Sequence, residues 1–202
     1  MAGTCRGWLG LVKPCVAGLF GVLVAGCGAT GDGVSVTGPT TASSTIVDLP
    51  SASVRDSAVL VERRLRSAGV DVTAIDRDNG FIQARSSNPA FVDCGEIVDT
   101  GGGSRRSFPG NSARLELSDP VNPGATRIRS FQVVTTAGIG ITQGDTNSVV
   151  IRQQHQATLT IQSGQTGATT LLETREFSDR GFASFADGTV CRSSDAMNRA
   201  VR

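Results

Sequence analysis

The 202-residue sequence has no tyrosine, and a single tryptophan (Trp8), histidine (His155) and lysine (Lys13). Each shortage excludes something. One imidazole cannot build a many-histidine metal centre. Aromatic residues at 4% leave little to stack on a sugar ring. Charged residues make up 18% and the formal net charge is +1, so no basic excess draws the chain to a nucleic acid. No apolar run reaches the roughly 20 residues that a bilayer-spanning helix needs. Hydrophobic residues at 39% still make the chain too apolar to be disordered throughout, and its length suits one domain with a short extension.

The extension stands at the start. Arg6 and Lys13 precede an apolar run over residues 16–25, the size of a signal-peptide core rather than of a span. The run ends in Leu23-Val24-Ala25-Gly26-Cys27, which resembles the lipobox of bacterial lipoproteins: an aliphatic residue, small residues, then cysteine. Small side chains at Ala25 and Gly26 let an extended backbone enter a peptidase, and the Cys27 thiol receives the diacylglycerol. The resemblance implies a signal peptide over residues 1–26, lipidation of Cys27 with palmitate-like acyl chains, and a membrane anchor made by those chains. A buried methylene contributes about 0.8 kcal/mol, so two or more chains hold firmly where one is marginal. Gly28 follows in place of the aspartate that resembles an inner-membrane retention signal, which directs the expectation to the outer membrane, facing the periplasm. Losing Arg6 and Lys13 with the leader turns the charge of +1 into −1.

Cys5, Cys15 and Cys27 belong to the leader or the anchor, which leaves Cys94 and Cys191 as an even pair in an oxidising compartment. Neither has a CxxC partner or a nearby histidine. A disulfide between them is expected.

Residues 27–53, rich in Gly, Thr and Ser, read as a flexible tether running from Cys27; only Ile46–Leu49 suits an edge strand. A compact domain is expected over 54–202. Ser51 or Ser53 can cap a helix in which Val54, Ala58, Val61, Leu65 and Ala68 recur at steps of four and three, and Gly69 stops it. Residues 70–75 and 81–85 alternate like strands around the turn Asp76-Arg77-Asp78-Asn79-Gly80. Further strands are expected at 91–98, 114–117 and Thr126–Thr142, the last kinked at Gly138 and Gly140. Residues 149–162 and Thr169–Ser178 form a second hairpin, with Leu159, Ile161 and some of Leu171, Leu172 and Phe177 in the core. A short helix over 194–201 follows Cys191. The expected fold is α+β: a mainly antiparallel sheet with an N-terminal and a short C-terminal helix packed on one face, stapled by one disulfide.

The chemistry-bearing residues are sparse. His155 lies among Arg152, Gln153, Gln154 and Gln156 and reads as an exposed strand histidine, with no Gly-x-Ser-x-Gly elbow to select a serine for it. Asp76-x-Asp78-x-Gly80 starts like a calcium loop. Its glycine is fifth rather than sixth and Ser87 fills the twelfth position, so a solvated turn is expected. Gly101-Gly102-Gly103-Ser104-Arg105-Arg106 has the amides and guanidinia to wrap an anion. It lacks the Gly-Lys-Ser/Thr end of a phosphate loop and reads as a mobile surface loop. Arg127, Arg129 and Arg152 make a basic strip only on adjacent strands, and pairing with Glu116, Glu173 and Glu176 is the expected use. The sequence therefore assigns no catalytic residue, no metal ligand and no cofactor.

From Val54 to Arg85, the amphipathic helix, Gly69-Val70-Asp71-Val72 and Asp76-Arg77-Asp78-Asn79-Gly80-Phe81-Ile82 are similar to the helix-then-hairpin of the helix-grip domains in the C subunit of the outer-membrane β-barrel assembly machinery. The Cys94/Cys191 pair and the Gly101 loop depart from that pattern. The whole chain resembles outer-membrane lipoproteins of unassigned role, a likeness that supplies a place and no catalytic residues. The leading expectation is a non-catalytic envelope lipoprotein that binds another envelope protein through a sheet edge or the helix–sheet groove. The alternative is a binding module for a lipidic or small apolar ligand, gripped beneath the helix by Phe81, Phe131, Ile139, Ile141, Leu159 and Phe177. An enzyme would need His155 in a pocket beside a Ser, Asp or Glu.

Overall fold

A computed structural model of the chain describes residues 33–39, 46–49 and 53–202. The expected signal peptide (1–26) and the lipidation site Cys27 lie outside the described residues. Among those described, no helix is long and apolar enough to cross a membrane.

Helix α1 spans Val54–Ser67. Ser53 is its cap: the residue is extended and its hydroxyl accepts from Asp56 N at 3.0 Å, satisfying an amide that the first turn leaves without a helical partner. Ser57, Ala58, Val61 and Leu65 are buried. Ser53→Ala is expected to lower stability by about 1 kcal/mol, read as a lower urea midpoint at constant m; an unshifted midpoint would remove the cap from the account.

The strands are β1 (Val34–Thr37), β2 (Ile46–Leu49), β3 (Asp71–Asp76), β4 (Phe81–Ser86), β5 (Val92–Asp93), β6 (Glu96–Asp99), β7 (Arg106–Pro109), β8 (Arg114–Ser118), β9 (Thr126–Thr142), β10 (Asn147–Ser163), β11 (Thr169–Ser178), β12 (Phe182–Ser184) and β13 (Val190–Ser193); α2 (Ala196–Val201) follows. The hairpin β9–β10 is the spine, paired from Ser148↔Thr142 to Ser163↔Arg127. Along β10 lie β2 and β11; along β9 lie β8 and then β4, which carries β3. Two three-stranded sheets, β1-β6-β7 and β12-β13-β5, complete a wholly antiparallel arrangement.

Strand parity sorts the core. Every odd-numbered residue of β9 from Arg129 to Ile141, and of β10 from Asn147 to Ile161, is buried, because alternate side chains point to opposite faces. One apolar cluster joins Ile139, Ile141, Val149 and Ile151 to Ala58, Val61 and Leu65 of α1 and to Met197 and Val201 of α2. A second joins Phe131, Val133, Ala157, Leu159, Ile161 and Phe177 to Val92, Cys94, Ala183, Phe185 and Cys191. Ile97, Leu115 and Leu117 form a smaller third cluster, with Val34, Val36 and Phe108 packed against it. Among the described residues the fold is thus mainly antiparallel sheet with two α-helices, and Cys94 and Cys191 are joined as a disulfide.

Three expectations change. First, the segment read as a tether over 27–53 holds an unexpected strand, β1, which pairs with β6, besides β2, which forms at the expected edge strand Ile46–Leu49 and pairs with β10. Their alternating Val34/Val36 and Val47/Leu49 give them a face to pack, so those residues join the domain. Second, residues 91–98 are two strands in different sheets, broken at Gly95, where φ is 67° and an added Cβ would stand 1.8 Å from Thr37 O. Third, Gly138 and Gly140 do not interrupt β9, which is held in continuous register on both sides by β4 and β10.

Candidate functional site

His155 is buried, at 2% exposure, which corrects its expected position on the surface. It shares the odd, inward face of β10 with Ile151 and Ala157. A single row crosses the sheet there: Ser86, Thr135, His155 and Phe177 stand opposite one another on β4, β9, β10 and β11. Thr135 Oγ1 lies 2.9 Å from His155 Nδ1, and the ring stacks on Phe177 at 4.8 Å between centroids. Nε2 is buried with no hydrogen-bond partner among the described residues. Burial pushes the imidazole down from 6.5 to about 4, so it is neutral at pH 7. The row separates the two large apolar clusters, a structural place for an imidazole.

The Asp76 turn is self-contained. Asp76 accepts from Asn79 N at 3.1 Å and from Asn79 Nδ2 at 2.7 Å. The Asn79 side chain, and next its amide, hold the carboxyl below its ordinary value. Among the described residues no group of three or more His, Cys, Asp or Glu is arranged to hold a metal ion.

The Gly101 loop does wrap an anion, and the anion is the protein's own. Asp99 is buried; its carboxylate accepts from Gly101 N at 2.9 Å, Ser118 N at 3.1 Å and Arg106 Nη2 at 2.6 Å. Burial works to raise this carboxyl, and the three donors outweigh it and hold it below its usual range. Residues Gly101–Gly103, expected as a surface loop, form a short 3₁₀-like turn leading into β7, with Gly102 at φ 68°. A cleft of about 680 Å³ between this turn and residues 118–126 is lined mainly by glycine, proline and small polar side chains.

The three arginines form no strip. Arg127 and Arg129 share the inward parity of β9, whereas Arg152 has the outward parity of β10. Arg129 is 1% exposed; its Nε donates to Asp187 at 2.9 Å and its Nη2 to Thr189 Oγ1 at 3.0 Å. The partners are aspartates on turns rather than the glutamates that strand spacing suggested, and Arg152 reaches Asp179 at 3.8 Å. Of the residues expected to grip an apolar ligand, Phe131, Ile139, Ile141, Leu159 and Phe177 are packed within the two large clusters, while Phe81 is on the opposite side and 43% exposed.

That opposite side holds the feature that sequence reasoning missed. The even residues of β9 and β10 face outward, and the registers align them in rows. Phe81, Gly140, Val150 and Ile46 form one; Gln83, Gly138 and Arg152 the next; Arg85, Thr136 and Gln154 the third. Ile46 is 55% exposed. A Cβ added to Gly138 or Gly140 would meet nothing within 4 Å, so the two glycines leave a shelf on the central strand. Over Gly138 the shelf deepens to a hollow of about 380 Å³ bounded by Thr73, Gln83, Arg85, Thr136, Arg152 and Gln154. The signal was present as Gly138-x-Gly140, a two-residue spacing that puts both glycines on one face of a strand. An aromatic side chain and two guanidinia around a bare stretch of strand are the residue types that anchor protein–protein contacts. No family model, no curated protein and no solved structure matches this chain.

Proposed function

We propose that the protein is a lipid-anchored, non-catalytic envelope protein that binds another envelope protein through the outer face of its sheet. The anchor follows from the leader and its lipobox-like end at Cys27: a domain held by acyl chains at the periplasmic side of the outer membrane, on a tether shortened by β1 and β2. In this reading both helices lie on the far face of the sheet and leave the outer face open. The observation that carries the binding role is the glycine shelf on β9, a strand hydrogen-bonded on both sides, with an exposed apolar row beside a row of arginine and glutamine. Such a surface is pre-organised, so docking costs little backbone ordering. Its location is the face of the sheet, where the sequence pointed to an edge or the helix–sheet groove. His155, the only imidazole, is committed to the core.

The test fills the shelf. Gly138→Trp adds a side chain where a Cβ meets nothing within 4 Å, and Cys27→Ala removes the acyl acceptor. The tagged full chain, isolated from membranes in mild detergent, is expected to carry one envelope protein in comparable amount. Gly138→Trp should keep the melting temperature and lose that protein, and Cys27→Ala should move the chain to the soluble fraction. A Gly138→Trp chain that retains its partner would sink the docking face, and a membrane-bound Cys27→Ala chain would sink the anchor.

A further inference from the structure

Resting on that reading, the geometry points to an acidic segment of the partner protein as the occupant of the shelf, with a carboxylate over Gly138 between Arg85 and Arg152 and an apolar side chain over Gly140 against Phe81. Charge complementarity carries this. Arg85 and Arg152 stand in neighbouring rows on either side of β9, and both border the hollow. Together they have a single, long ion pair among the described residues. Arg152 reaches only Asp179, at 3.8 Å, and among the described residues no ion pair joins Arg85, although Asp71 stands opposite it on β3. Two guanidinia bordering one hollow, with only the long ion pair of Arg152 between the two of them, leave it net positive, and an incoming carboxylate can accept hydrogen bonds from both.

The remaining lining says what carries the carboxylate. Gln83 and Gln154 flank the hollow, and each primary amide both donates and accepts, the pairing that an extended peptide backbone offers. The adjoining row of Phe81, Val150 and Ile46 is apolar and partly or largely exposed. A free oxyanion would use the arginines alone and leave that row in water. A peptide with an acidic and an apolar side chain covers both rows.

The experiment uses the full chain, isotope-labelled and held in mild detergent, with acetyl-Leu-Glu-Leu-Glu-Leu-amide as probe. Its glutamine analogue and inorganic phosphate serve as comparison ligands. The glutamate peptide is expected to shift the backbone amide signals of residues 83–85, 136–140 and 152–154. Arg85→Gln, on an exposed position with no ion pair among the described residues, is expected to keep the melting temperature, whereas Arg152→Gln also gives up the Asp179 pair and should lower it; each should weaken binding about fivefold, the effect of losing one exposed charge pair of about 1 kcal/mol. Binding should also fall as salt rises to about 1 M, where screening reaches within about 3 Å. Phe81→Ala should weaken the glutamate peptide without restoring the glutamine one. Equal binding of the glutamine analogue overturns the inference, as do shifts confined to the Gly101 turn and phosphate that displaces the peptide from the hollow. If the peptide fails while Gly138→Trp still loses the membrane partner, only the acidic chemistry falls. If Gly138→Trp keeps the partner, the docking face itself falls.

Discussion

Replacing Cys94 and Cys191 together by alanine is expected to lower the stability of the domain by about 4–5 kcal/mol, the chain-entropy contribution of a cross-link closing a loop of this length. The two residues are 97 apart in sequence. In a chain of this size that corresponds to a fall of about 10–15 °C in melting temperature. Local pairing beside the bridge cannot substitute for it, since β13 meets β5 through only Arg192↔Asp93 and Ser193↔Val92. Yet the segment fastened there supplies Ala183 and Phe185 to one apolar cluster and Met197 and Val201 to the other. Releasing it loosens the cover of both. Urea unfolding of the oxidised chain, the reduced chain and the double variant should show the last two displaced alike, with a larger m-value because the uncrosslinked denatured state is more expanded. A loss below about 1 kcal/mol in both comparisons with the oxidised chain would mean that the bridge only decorates a domain already closed by its core.

How much of this was legible in the sequence depended on the length of the repeating pattern. Helix α1 showed both a stripe of apolar residues and a serine cap, and the structure uses both. The strand β9 was read with its observed ends, and the β10–β11 hairpin nearly so, because alternation over many residues leaves little freedom of register. The short strands β1, β7, β12 and β13 were missed, although β2 of equal length was read: three or four residues barely display a period, and their pairing is decided by tertiary partners such as β6 and β5. At the sites, residue type misled where parity would have helped. His155 sits between glutamines and looked exposed. Counting by twos from Val149 through Ile151, Gln153, His155, Ala157, Leu159 and Ile161 puts it in the middle of an inward face. Gly138 and Gly140 were read for backbone freedom, whereas their shared parity makes them a gap in a surface. Asp99, which fills the Gly101 turn, was overlooked: its local donors Gly101 N and Arg106 were read as waiting for an outside anion, and its third donor, Ser118 N, comes from another strand.

The stability of the chain should fall on mild acidification because of His155. In the unfolded chain the imidazole titrates near its ordinary value of 6.5, and in the folded chain burial lowers it to about 4. Between those values the unfolded state binds a proton that the folded state refuses, so stability rises with pH through this window and is lost as pH falls. The loss is about 2 kcal/mol between pH 7.5 and 5, tends to about 3 kcal/mol in full, and stops growing once the folded imidazole itself protonates. Asp76, Asp99 and Asp119 also have lowered values in the folded chain, so their stabilisation is present above an ordinary value of 3.8 and disappears below it. That of Glu62 starts to go below 4.5. From pH 7.5 down to 5 the slope therefore belongs to the histidine. Removing both members of the Thr135–His155 pair, as Thr135→Val with His155→Phe, spares a lone buried hydroxyl and keeps a ring against Phe177. Urea midpoints for this variant should stay level across that window while those of the natural chain decline. A variant that declines in parallel would assign the acid sensitivity to other groups, and an imidazole resonance titrating near pH 6.5 in the folded chain would show that the ring is not in the dry row between the two apolar clusters.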